Sequence, residues 1–137
     1  KSVGISGIDS RVCFSAPLAK LLEGAVRGTV YVRVDYTDKS GRVYHNNYCL
    51  DKQKNMNYPK VDLQTEVRSI EGGYEVTVST DKFARAVCLS VADNESVYSD
   101  NYFDVQPKSS VQVQVRTRLS AEAFNASLRL TCLNNEF

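Results

Sequence analysis

Alternation with a period of two runs through this chain and limits what it can become. Val111, Val113 and Val115 interleave with Gln112, Gln114 and Arg116. Val30, Val32, Val34 and Tyr36 interleave with Tyr31, Arg33 and Asp35. Val61, Leu63, Thr65 and Val67 do so with Asp62, Gln64, Glu66 and Arg68, and Tyr74, Val76, Val78 and Thr80 repeat the pattern. Side chains on a strand point to opposite faces in turn, so each run reads as a half-buried strand. Arg85–Val91 is almost continuously apolar, as a central strand would be. Val97–Val105 and Leu128–Cys132 complete the set.

The punctuation fits hairpins. Asp38-Lys39-Ser40-Gly41 places glycine where a turn needs a positive φ, and Arg42–Leu50 reads as the returning arm. Glu71-Gly72-Gly73 and Asp93-Asn94-Glu95 are further turns. Asp51–Pro59 is a polar connection. Only Pro17–Glu23 and Ser120–Phe124 suggest helical turns, the second capped by Ser120. Strands joined by tight turns without long helices predict an all-β fold. The expectation is an antiparallel two-sheet, immunoglobulin-like β-sandwich with one or two short helical turns, forming a single domain over 1–137. The likeness is one of architecture, since the Cys–Trp–Cys signature of antibody domains is missing and the chain has no Trp.

Composition narrows the chemistry. At 137 residues the chain is about half of what an eight-stranded α/β barrel needs (roughly 250). Seventeen basic and 16 acidic side chains leave a net charge of +1, which supplies no field for nucleic acid or an anionic membrane. No apolar run approaches the roughly 18 residues of a membrane span. The chain opens at Lys1 without a leader, as a processed chain or a piece of a longer one would.

Candidate reactive groups are sparse. Glu66 and Glu75 could face each other across the Gly72-Gly73 hairpin, but both sit on the polar side of regular strands and read as a solvated face. His45, the only histidine, reads as a surface or edge-strand residue. Ser79-Thr80-Asp81-Lys82 matches Ser-x-x-Lys, yet it ends a strand where that chemistry needs a helix. Asp100 and Asp104 read as structural, bonding nearby backbone amides. The four cysteines, Cys13, Cys49, Cys88 and Cys132, permit two disulfides in three connectivities. Without a Cys-x-x-Cys they make no zinc knuckle, and Cys49, Cys88 and Cys132 read as small buried hydrophobes. Neither a metal set nor a phosphate loop appears, so no cofactor, metal ligand or catalytic residue is expected. Tyrosine is the surplus residue: Tyr31, Tyr44, Tyr48, Tyr58, Tyr98 and Tyr102 suit cross-strand packing. Tyr44, Tyr48 and Tyr102 are the candidates for stacking on a sugar.

Thr80-Asp81-Lys82-Phe83-Ala84-Arg85-Ala86-Val87-Cys88-Leu89-Ser90, followed by Tyr98-Ser99-Asp100-Asn101-Tyr102-Phe103-Asp104-Val105-Gln106-Pro107, carries a resemblance. It resembles the C-terminal immunoglobulin-like domain of β-mannosidases of glycoside hydrolase family 2, with their TD-x-FA-x-x-V-x-LS and SDN-x-F strands. The stretch from Leu128 to Phe137, with Thr131-Cys132-Leu133-Asn134-Asn135, is similar to the family's final strand, although Cys132 stands where serine is frequent. The resemblance implies a parent that hydrolyses terminal β-mannosides with retention, using two glutamates in a barrel domain. Neither that barrel nor its glutamate motifs occur in this sequence, so no catalytic residue carries over. What it implies here is a non-catalytic module that packs against preceding domains of the same polypeptide. It reaches β-mannoside oligosaccharides only through the parent, with no nucleic-acid or membrane partner. The alternative is a carbohydrate-binding module using surface tyrosines. An extracytoplasmic home (periplasmic, secreted or lysosomal) follows by the same analogy.

Overall fold

The computed structural model describes residues 2–4, 7–8 and 10–136. Where the alternation predicts one sandwich over 1–137, the chain clusters into two compact units, 1–57 and 58–137. The boundary falls within the polar Asp51–Pro59 connection, and the strands on its two sides enter different sheets. Among the described residues no helix is long and apolar enough to cross a membrane.

In the first unit, helix α1 (Leu18–Leu22) follows Pro17, whose fixed φ suits a helix start. Strands β1 (Tyr31–Thr37) and β2 (Val43–Cys49) then form a two-stranded antiparallel sheet of their own, with Tyr36 opposite Tyr44 and Val32 opposite Tyr48. The connecting turn is built by Asp38. Its Oδ1 accepts from the Ser40 and Arg42 amides at 2.8 and 3.0 Å and from the Ser40 hydroxyl at 2.6 Å, and Gly41 takes φ +85°. The Ser40 hydroxyl, then the Arg42 and Ser40 amides, hold the Asp38 carboxyl below its ordinary pKa. Beyond β2, Gly28 lies against the loop at 53–57, and the Asn57 amide donates to its carbonyl at 2.8 Å. A Cβ at Gly28 would fall 2.4 Å from the Asn55 carbonyl oxygen.

The second unit is a sandwich. One sheet has the order β3-β4-β8-β6, with β3 Gln64–Ile70, β4 Gly73–Thr80, β6 Val97–Tyr98 and β8 Ser109–Arg116. The other has the order β7-β5-β9, with β5 Ala84–Ser90, β7 Phe103–Val105 and β9 Arg129–Thr131. Every pairing is antiparallel. The predicted alternation becomes the core. Tyr74, Val76 and Val78 of β4 and Val113 and Val115 of β8 are buried, together with Ala84, Val87 and Leu89 of β5 and Val105 of β7. Each such Val or Leu contributes roughly 1.5–3 kcal/mol. Helix α2 (Ala121–Ser127), capped by the Ser120 hydroxyl on the Ala123 amide, buries Phe124 completely. Its ring stacks on Tyr74 at 4.1 Å, and the Tyr74 hydroxyl donates to the Leu119 carbonyl at 3.0 Å.

Two expectations are revised. The single strand expected over Val97–Val105 is two strands in different sheets, because β6 pairs with β8 and β7 pairs with β5. The chain changes sheets through Ser99–Tyr102, with Tyr102 at φ +62°. The end of the chain is helical, not extended: α3 (Leu133–Glu136) follows β9. Phe137 lies outside the described residues, as do Lys1, Ile5, Ser6 and Asp9.

Gly73 sits where β4 meets β8, and a Cβ there would lie 2.0 Å from the Val115 carbonyl oxygen. At Gly72, φ is +77° but a Cβ would meet nothing within 4 Å. Gly73→Ala is expected to cost about 3 kcal/mol through the clash, and Gly72→Ala about 1 kcal/mol through backbone strain alone. Urea unfolding followed by near-ultraviolet circular dichroism distinguishes them; equal midpoints for the two variants would contradict the packing.

Candidate functional site

The acidic candidates do not converge. Opposite Glu66 on the neighbouring strand is Thr77, and opposite Glu75 is Arg68, which forms a 2.8 Å ion pair with it. Glu66 and Glu75 therefore do not face each other. His45 is exposed on β2 opposite Asp35. Ser79 and Thr80 end β4, and Lys82 beyond them donates its Nζ to the Lys60 carbonyl at 3.3 Å, so Ser-x-x-Lys lies on a strand end and not on a helix. Among the described residues no group of three or more His, Cys, Asp or Glu could hold a metal ion. Cys88 and Cys132 are free thiols, the second buried, and burial pushes its pKa up. Cys13 is exposed and Cys49 is half-buried.

The polar side chains that do converge hold the backbone. Asn101 accepts from the Leu89 amide at 2.8 Å and donates to the Leu89 carbonyl at 2.9 Å. This is the pair of bonds a neighbouring strand would make, supplied by one side chain. Asn135 does the same at Val61, accepting from its amide at 3.2 Å and donating to its carbonyl at 2.9 Å. Asn134 is buried, accepts from the Arg85 amide and donates to the Pro59 and Phe83 carbonyls, each at 2.8 Å.

Asp104 serves a bulge. Between the pairs Ala84–Val105 and Val87–Phe103, two residues of β5 (Arg85 and Ala86) face one of β7 (Asp104), and Ala86 takes φ +50°. Its amide donates to Asp104 Oδ1 at 3.0 Å, while Arg85 pairs with the other oxygen. Asp93 closes the next turn by accepting from the Glu95 and Ser96 amides and from the Thr117 hydroxyl. The structural roles expected for Asp100 and Asp104 are present: Asp100 accepts from the Asn101 amide at 2.8 Å. The clasps made by Asn134 and Asn135 were missed, and their only signal is an asparagine pair directly after the last apolar run.

The tyrosine candidates divide between the units. Tyr44 and Tyr48 belong to the first and Tyr102 to the second. Tyr44 and Tyr48 lie four residues apart on β2, so they share a face, and are 45% and 69% exposed. Tyr44 already packs against Tyr36 at 6.1 Å, carries the Arg42 guanidinium 5.1 Å over its ring and directs its hydroxyl to Asp38. Tyr102 is 71% exposed, and a hydrogen bond with Cys88 raises its phenol pKa.

Two stacked antiparallel sheets, with polar side chains turned onto their own backbone, define an immunoglobulin-type β-sandwich module. The sequence profile of a family described as the mannosidase Ig-fold domain matches residues 57–136, and the chain belongs to that family. The family is found in glycoside hydrolase family 2 mannosidases, and its Ig-like domain is an accessory one. The match begins at the boundary between the two compact units. A search of curated proteins finds no match.

Asn101→Ala removes both bonds to Leu89 and leaves its amide and carbonyl without them, an expected loss of about 2–3 kcal/mol. Asp100→Ala removes one exposed local bond and is expected to cost under about 1 kcal/mol. Denaturant midpoints for the two variants measure the difference, and an Asn101→Ala midpoint at the wild-type value would refute the clasp.

Proposed function

We propose that this chain is a non-catalytic module of a larger β-mannosidase, a retaining enzyme acting on terminal β-mannosides. Its role is to pack against the preceding domains of that polypeptide and support the geometry of the catalytic barrel. The observation that carries this reading is the family match over 57–136, within which the side chains of Asn101, Asp104 and Asn134 are bound to the chain's own backbone. The strand motifs over Thr80–Ser90 and Tyr98–Pro107 favour β-mannosidases within the mannosidase family. On the same likeness the module reaches β-mannoside oligosaccharides through its parent and resides outside the cytoplasm, in a periplasmic, secreted or lysosomal setting. Incubated with an aryl β-mannoside, the 137-residue chain is expected to release no product beyond a heat-treated control. Turnover above that control would overturn the reading.

A second reading, carbohydrate binding, is favoured by the exposed Tyr44 and Tyr48 on one strand face. Two rings spaced by four strand residues, about 13 Å, could each stack on a sugar ring. Calorimetric titration with manno-oligosaccharides tests it. Heat that disappears in Tyr48→Ala would support binding at this face, and no heat at millimolar ligand would dismiss it.

A further inference from the structure

The first unit carries its apolar side chains outward. Among its described residues Leu50 is the one buried hydrophobic side chain, and α1 buries none. The core of the second unit, in contrast, is built from residues between Val61 and Cys132. On the β1–β2 sheet, side chains alternate between two faces. One face carries Val32, Val34 and Tyr36 of β1 beside Tyr48, Asn46 and Tyr44 of β2. The other carries Arg33, Asp35 and Thr37 beside Asn47, His45 and Val43, with Tyr31 and Cys49 at its end. An antiparallel sheet commonly packs its apolar face on a core and leaves its polar face to water. Here the apolar face is exposed, with Val34 and Tyr36 at 60% and 58% alongside the exposed Tyr44 and Tyr48.

We propose that this face is the inner side of a packed layer whose opposite layer is the part of the parent polypeptide preceding Lys1. The first unit is then the end of the preceding domain, and the family domain starts after it. The profile match starts at residue 57, so residues 1–56 lie outside the matched domain. A two-stranded sheet is marginal in water until a further strand or a packed layer supports it. An exposed apolar patch rimmed by polar residues marks an interaction site. The layer that fits is an aliphatic and aromatic one, packed about 10 Å away, because the face offers one amide, Asn46, among two valines and three tyrosines. This inference rests on the reading that the chain is a piece of a larger enzyme, and not on which mannoside that enzyme takes.

Two other occupants fit the same observations less well. A sugar needs a free ring face, and the Tyr44 ring already meets Tyr36 at 6.1 Å and the Arg42 guanidinium at 5.1 Å. The exposed apolar side chains also reach beyond the sheet, since Val12, Phe14 and Val26, which precede β1, are exposed as well. A sugar or a second copy seated on the sheet covers only the sheet. The rest of a domain accounts for both groups.

The Leu50 amide donates to the Val30 carbonyl at 3.2 Å, so in this register the amides of Val34, Asn46 and Tyr48 lie within the ladder. Native-state hydrogen exchange reads them in the 137-residue chain and in the full-length parent. In the 137-residue chain they are expected to exchange about 100-fold or more faster than those of Val76 and Val113 in the second unit. In the parent the gap should close to about tenfold or less. Val34→Asp, which sets a charge into the packed layer, should reopen the gap in the parent and leave Val76 and Val113 protected. Equal protection of both units in the 137-residue chain, fast exchange that persists in the parent, or a parent indifferent to Val34→Asp overturns the proposal. So does protection that rises with the concentration of the 137-residue chain, which assigns the face to a second copy. Protection that rises with added manno-oligosaccharide assigns it to a sugar and overturns the proposal too. The non-catalytic reading survives each of these results, because the aryl β-mannoside assay tests it separately.

Discussion

The three-stranded sheet of the second unit depends on asparagine side chains doing what a neighbouring strand would do. β5 is crossed by β7 and β9 over only part of its length, and a bulge at Ala86 interrupts the ladder. Backbone groups left without partners in such a place would each cost about 1–3 kcal/mol. Asn101 supplies both bonds to Leu89, Asp104 takes the Ala86 amide, and Asn134 takes the Arg85 amide. Asn134 and Asn135 also fasten the last helix to residues 59–61 and to Phe83. The C-terminal residues thereby close the sandwich on segments more than 70 positions earlier in the chain.

This constraint bears on function. A carboxylate or amide that works on a substrate must be aimed into a cleft and left with a group to offer. In the second unit the side chains of Asn101, Asp104, Asn134 and Asn135 are aimed at peptide groups. Their arrangement gives rigidity to a module whose family accompanies glycosidase catalysis. Exposed chemistry in the first unit is of a different kind: aromatic and aliphatic side chains on a narrow two-stranded sheet.

Much of the sandwich was legible because burial follows a period of two. Val76, Val78, Val113 and Val115 were placed by alternation alone, and the dense run at Arg85–Val91 became the central strand β5. Ser120 was readable as a cap because its hydroxyl precedes a short apolar helix. Alternation does not say which sheet a strand joins. That is why Val97–Val105 read as one strand when it is two. The change of sheet depends on long-range bonds from Asn101, a residue whose type suits many turns. The clasps of Asn134 and Asn135 were hidden for the same reason, since their partners are remote in sequence. Glu66 is exposed as a solvated face requires, but the Glu75 side chain keeps only 14% of its exposure beside Arg68, and the register that opposes those two depends on where the Gly72-Gly73 turn closes.

The central claim is that side chains complete the backbone bonding of β5. Native-state hydrogen exchange at single-residue resolution tests it. The amides of Arg85, Ala86 and Leu89, bonded to Asn134, Asp104 and Asn101, should exchange as slowly as those of Val76 and Val113 in the regular ladder. In an Asn101→Ala chain that remains folded, only Leu89 among the three should lose its protection. Fast exchange at all three in the native chain would contradict the account.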